Sequence, residues 1–476
     1  MLVRQDSIAA FHPPSTSPLS LHAERTTGDS RPPVHKAATP HPVAMAQMLL
    51  PLLLGAAHAF SPRASAPRAV RVVGKHWVNA TTGEPLLLKG PNVVVKGSPW
   101  LPRVEGRTVC NDTAHATCET FNEADAVHIT RTMGWNAIRL GVAWPGAQPA
   151  DAPALDAAFV ANLRAILRLC EAHGIHVILD MHGDMVGSAN CGWGVPMWLS
   201  QQAAPQLIGK PLRTALPYSL LAPFTDEFKI QTSCGDNESR WAEHAADPDY
   251  NLLNGCCAEL NGEANHPAVG FSTLAQETMG YLLREGKGRD AFVRYWRLLA
   301  EAVADYPAAV GFELINEPMS LERGAMFETW EAVNDAVVEV VPDMSVGVMD
   351  LGEGAVLPWW FAKVDPGIDI PWSAKEWLKR SSNLFYAWHW YGDPKDPAEA
   401  VKTVLTLQDE WNISSMLTET MSCDAIKAAE SAGISWSYWH YSQYCNTATA
   451  YGGKLPPNNF GACILGWGGG TSSKVC

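Results

Sequence analysis

Glu317 stands in GFELINEPMS, residues 311–320, where an apolar run ends in Asn316 and Glu317 and is followed by Pro318. Glu419 stands near the end of a second apolar run, SSMLTET, residues 414–420. Paired carboxylates across a sugar ring are the equipment of glycoside hydrolysis: one protonated to release the leaving-group oxygen, the other ionised to attack or stabilise the anomeric carbon. Further polar or aromatic residues close other apolar runs: Lys96, Arg139, His182 with Asp184, His389 with Tyr391, and Trp436 with Trp439. Singly, each has an ordinary explanation as an ion-pair partner, a satisfied core histidine or core packing. Together at one rim they make a carbohydrate site. Tyr391, by a hydrogen bond, and Arg139, by charge, are suited to keep Glu419 ionised. Burial and a like-charged neighbour push Glu317 toward its neutral form. Asn316 is suited to the sugar 2-hydroxyl, whose contacts strengthen in the transition state. No metal and no organic cofactor is required.

These residues meet only if one fold brings the ends of their runs together. Strands are expected over residues 86–95, 136–144, 176–182, 309–318, 344–352, 384–391, 414–420 and 434–441, most of them separated by helical patterns. In the helix expected over 156–173, Phe159, Leu163, Ile166, Leu167 and Cys170 share one face, and Gly174 stops it. Alternating β and α elements with continuous apolar strands imply an α/β fold with a parallel sheet covered by helices. This number of repeats predicts a closed (β/α)₈ TIM barrel, with catalysis at the C-terminal ends of the strands. No Gly-rich dinucleotide turn follows the first strand, which disfavours an open doubly wound sheet. After the third strand, residues 183–286 break the rhythm with Cys, Pro and Gly, and are expected to form a long insertion within a single catalytic domain at 71–445.

The chain has 476 residues, 47% of them hydrophobic and 18% charged, with a net charge of −14 and no basic block. Nucleic acid and anionic membranes are therefore excluded as expected partners. The 19 Trp hint at flat apolar surfaces for stacking on sugars. Residues 1–44 have a disordered composition. Residues 45–59, MAQMLLPLLLGAAHA, have the short apolar core and small-residue end of a secretory signal peptide, with translation expected to begin at Met45. Residues 60–70 follow as a linker and 446–476 as a C-terminal tail; the Ser, Ala, Pro and Arg content of the linker leaves a plastid presequence as the lesser alternative. The 11 Cys fall mostly in expected loops, with Cys170 the expected free thiol, and N-x-S/T sequons occur at Asn79, Asn111, Asn237 and Asn412. These features predict a secreted protein or one of an endomembrane or lysosome-like lumen. Zinc-type C-x-x-C spacing is absent.

The order Arg139, His182, Asn316-Glu317-Pro318, His389-x-Tyr391, Glu419, Trp439 resembles glycoside hydrolase family 5 from about Val70 to Tyr441. The resemblance implies Glu317 as acid/base and Glu419 as nucleophile. GPNVVVKGSPWLP, LDMHGDM, GFELINEP and SWSYWHY look like the endoglycoceramidase and glucosylceramidase-related branch, which cuts the β-glucosidic bond between glycan and ceramide. It implies Lys96 and Asp184 as binders of the −1 glucose and Trp439 as its stacking platform. The partners implied are a glycolipid or oligosaccharide substrate and a transient contact with a lipid surface or micelle. The apolar segment PLRTALPYSLLAPF, residues 211–224, is a candidate for touching ceramide. Gly183 departs from a bulkier polar residue usual in that branch and His440 from a glutamine, and the stretch after Tyr441 is too short for its C-terminal β-sandwich. The same chemistry on β-glucan or β-mannan is the nearest alternative, and a non-catalytic carbohydrate-binding barrel a more distant one.

Overall fold

A computed structural model of the chain describes residues 65–95, 100–105, 120–183, 186–190, 192–210, 212–215, 269–320, 322–350, 372–392, 396–439 and 441. Eight strands close a barrel: β3 (Lys89–Val93), β4 (Ala137–Gly141), β5 (His176–Asp180), β6 (Ala309–Glu313), β7 (Ser345–Val348), β8 (Leu384–Trp390), β9 (Ser414–Thr420) and β10 (Ser435–Tyr438). Neighbours are parallel throughout, and β10 pairs with β3 to close the ring. Each expected strand is present. Their residues are buried almost without exception, which is why they read as continuous apolar runs rather than alternating ones.

The outer helices follow from their caps and apolar stripes. In Ala157–His173, Asp156 accepts from the Phe159 N–H (2.8 Å), and Gly174 ends the helix at φ +67°. The expected face of Phe159, Leu163, Ile166, Leu167 and Cys170 is the buried one. Withdrawing each such side chain from water is worth about 1.5–3 kcal/mol. Cys170 is free and buried, and burial pushes its thiol pKa up, which leaves it unreactive.

Three differences from the sequence expectations have physical causes. First, an antiparallel hairpin, β1 (Val70–Val73) and β2 (His76–Asn79), precedes the barrel. Val70, Val72 and Trp77 pack against Ala137, Ile178, Val310 and Phe385 from the first halves of the barrel strands, and so close its N-terminal end. The period-2 burial of VRVV and the turn at Gly74 (φ +57°) are its sequence signal. Second, the expected linker 60–70 includes packed chain. Arg68 is buried and donates to the carbonyls of Tyr306 (2.7 Å) and Ala309 (3.1 Å), which anchors this segment to the barrel. Third, the expected irregular insertion contains helices Met197–Ala203 and Thr273–Leu283. Cys191, Cys234, Cys256, Cys257 and most of 211–224 lie outside the described residues.

Most of the described Trp serve the core rather than a sugar surface: Trp77, Trp144, Trp296, Trp330, Trp377, Trp388 and Trp411 are buried, among others. Among the described residues no helix is long and apolar enough to cross a membrane.

Candidate active site

The C-terminal ends of the strands converge on Arg139, which is fully buried in β4. Its Nε donates to Glu313 Oε2 (2.8 Å), and its Nη2 to Glu313 Oε1 and Asn316 Oδ1 (2.7 Å each). Its Nη1 donates to Asn92 Oδ1 and Glu419 Oε1, each at 2.7 Å. Asp180 Oδ1 lies 3.0 Å from Nη2. Burial opposes the guanidinium charge, but Asp180, Glu313 and Glu419 outweigh it and hold the Arg139 pKa well above its ordinary value. Asn92 also ties strands together, donating to the carbonyls of Thr418 (2.9 Å) and Tyr438 (3.2 Å).

Local backbone irregularity aims the carboxylates. Between β8 and β9 the register runs Trp388 with Leu417 and then His389 with Glu419, leaving Thr418 as an extra residue. A bulge of this kind lets side chains leave strict alternation. Thr418 then reaches Glu313 Oε1 (3.4 Å), while Glu419 reaches Arg139. The strand carrying Glu317 was expected to run to Pro318, but β6 stops at Glu313. Residues 314–317 are instead pinned by the strands on either side. Leu314 N–H donates to Gly347 O (3.1 Å), Asn316 N–H to Met181 O (2.9 Å) and Glu317 N–H to Met349 Sδ (3.2 Å). Glu317 adopts φ +44°, a left-handed conformation that a glutamate holds only when its surroundings impose it.

Around the pair, Tyr391 Oη donates to Glu419 Oε2 (2.7 Å), and His389 Nδ1 lies 2.7 Å from Glu317 Oε1 and 3.7 Å from Glu419 Oε2. Burial lowers the His389 pKa, but the charges of Glu419 and Glu317 outweigh it and raise the balance above the ordinary 6.5. His182 Nδ1 lies 2.9 Å from Asp180 Oδ2, and its ring stacks on Trp439 at 5.1 Å with 8° between planes. One oxygen of Glu317, one of Glu419 and a ring nitrogen of His389 lie within 4.8 Å of one another. That is the His and carboxylate grouping a cation would meet among the described residues, and its atoms already hydrogen-bond within the site.

Of the residues picked from sequence, Arg139, His182, Asn316, Glu317, His389, Tyr391, Glu419 and Trp439 come together here. Lys96 and Asp184 lie outside the described residues. Trp436 does not join them: it is buried, its indole N–H donates to Glu430 Oε1 (3.1 Å) and its ring meets Trp135 edge-on. Sequence inspection passed over Asn92, Asp180 and Glu313. Their signal was a polar residue at or next to the C-terminal end of a buried strand, as in KGPNV, HVILD and AVGFE.

A family profile described as cellulase (glycosyl hydrolase family 5) matches residues 103–208 and 277–444. An endoglycoceramidase of Cyanea nozakii is 28% identical over 238 residues, covering 50% of this chain and 39% of the relative. Endoglycoceramidase I of Rhodococcus hoagii (strain 103S) is 30% identical over 245 residues, covering 52% of this chain and 36% of the relative. The matched region is thus well under half the length of these relatives. A crystal structure of an endogalactoceramidase shares the fold, with a TM-score of 0.54 at 16% identity over 79% of this chain and 75% of that one.

Proposed function

Since the chain belongs to glycosyl hydrolase family 5, we propose that it is a retaining β-glycosidase in which Glu419 is the nucleophile and Glu317 the acid/base. The observation that carries this is the approach of the two carboxylates, an oxygen of each within 4.8 Å. Retaining pairs stand about 5–5.5 Å apart, whereas inverting pairs leave room for a water at about 6.5–9.5 Å. Arg139 and Tyr391 each hold one oxygen of Glu419 and so stabilise its charge and fix its direction. Glu419 attacks the anomeric carbon as Glu317 protonates the departing oxygen. Glu317 then removes a proton from water, which releases the sugar with its configuration retained. His389 contacts both carboxylates and steadies Glu317 through these changes of charge. Asn316, its oxygen fixed by Arg139, turns its amide nitrogen to the sugar 2-hydroxyl. Trp439, backed by His182, is the platform for the ring.

The substrate is a glycosphingolipid, cut at the β-glucosidic bond to ceramide. The names of the relatives support this, as do the rim side chains. Tyr391 (38% exposed) and Met421 (39%) flank the Glu419 strand end and suit an apolar aglycone or a transient lipid contact. The signal-like segment 45–59, the exposed side chain of Asn412 in a sequon and a disulfide at Cys423 support a secreted or luminal protein. Lys96 and Asp184, outside the described residues, are assigned to the −1 glucose by the resemblance to the endoglycoceramidase branch alone. The profile's name keeps a polysaccharide in view as a second substrate. Lactosylceramide, carboxymethylcellulose and mannan assayed in parallel separate the two: release of lactose from the lipid is expected, and hydrolysis of polysaccharide alone would refute the lipid assignment. Glu419→Gln should lower turnover by about 10³-fold or more while sugar binding persists.

A further inference from the structure

We propose that Glu313 is a positioning residue of this reaction: it locks the Arg139 guanidinium and shares its charge, and so sets the direction and strength of the contact that Arg139 makes with Glu419. The proposal rests on the assignment of Glu419 as nucleophile.

An arginine offers five N–H donors in a rigid fork. All are used here. Nε and one N–H of Nη2 go to Glu313, the other N–H of Nη2 to Asn316, and the pair on Nη1 to Asn92 and Glu419. The two-point contact with Glu313 sets the plane of the fork, and that plane decides where Nη1 meets Glu419 and Nη2 meets Asn316. The count explains a second observation. Asp180 Oδ1 is buried 3.0 Å from Nη2 yet has no hydrogen bond, because no donor is left for it.

One positive charge therefore serves three buried carboxylates: Asp180, Glu313 and Glu419. The groups facing Glu313 are Arg139 on β4, Asp180 on β5, His389 on β8 and the Thr418 hydroxyl on β9. Those facing Glu419 are Arg139, His182 (3.9 Å), His389 (3.7 Å), Tyr391 and Glu317. The charge that Glu313 draws from the guanidinium is not available to Glu419. A carboxylate given the whole of it would ionise at lower pH and attack more weakly.

Glu313→Gln keeps the shape and removes the charge. The test follows the pH dependence of covalent labelling by a dinitrophenyl deoxyfluoro-β-lactoside, with the labelled residue located by mass spectrometry. Wild-type protein should be labelled on Glu419. In Glu313→Gln the acid limb of the labelling rate should move down by about one pH unit, with the plateau rate about 10-fold lower. In Glu313→Asp, which retains the charge, the limb should stay where it is in wild type. An unmoved limb in Glu313→Gln, even with altered thermal stability, would reduce Glu313 to a structural residue and overturn the proposal. Should Glu313→Gln fail to fold, a displaced limb in Glu313→Asp would overturn it instead. Wild-type labelling at a residue other than Glu419 would overturn the nucleophile assignment itself.

Discussion

Arg139 serves its acceptors through different N–H groups of one fork, so a lysine in its place would carry the charge without the geometry. Arg139→Lys should lower kcat/KM by about 10²-fold or more. It should also destabilise the protein by about 3–5 kcal/mol, because buried carboxylates lose partners; chemical denaturation measures the second effect. His389 supplies a pH prediction. Its folded-state pKa lies above the ordinary 6.5. Its contribution to stability is therefore fully present below about pH 6.5 and fades as pH rises through the raised value. The excess thermal stability of wild type over His389→Gln should shrink across that alkaline step, and an excess growing with pH would contradict the sign. At this scale the sequence showed the carboxylate pair and its helpers, because Glu317 and Glu419 each stand at the end of an apolar run. It did not show Glu313 or Asp180 as site residues. A lone acid in a strand becomes informative only when the barrel reveals that it points inward to an arginine from another strand.

Elements aim these side chains through departures from regularity. The β8–β9 bulge is one, and the pinned segment 314–317 is another. Gly183 is a third. A Cβ there would lie 2.6 Å from Ile315 Cγ1 and 2.8 Å from the Asn316 carbonyl oxygen, and one on Gly194 would lie 2.6 Å from the Gly183 Cα. Gly183 thus admits a close approach of the insertion backbone to the segment carrying Asn316 and Glu317. Gly183→Ala should lower kcat about 10-fold by displacing that segment, with a smaller effect on unfolding than Leu163→Ala, which should cost about 2–5 kcal/mol. Equal loss of activity in both variants at equal folded fraction would contradict this. Helix and strand positions were legible from caps and apolar periodicity. Bulges and left-handed residues were not, since a register shift depends on the neighbouring strand.

For the whole molecule, eight repeated βα units were readable because barrel strands are apolar on both faces and the intervening helices on one. The N-terminal hairpin was missed because its short strands are isolated from the main rhythm, although they close the bottom of the barrel. The abundance of Trp was a weak signal for a simpler reason: among the described residues most Trp are buried in the core. The barrel supplies a rim where residues far apart in sequence meet, and retention of configuration is the property that follows from the distance between its two carboxylates. That property is observed by following the anomeric proton of lactose released from lactosylceramide by NMR, before mutarotation equilibrates it. The β anomer should appear first. Initial release of the α anomer would show inversion, and would contradict a nucleophilic Glu419 paired with Glu317.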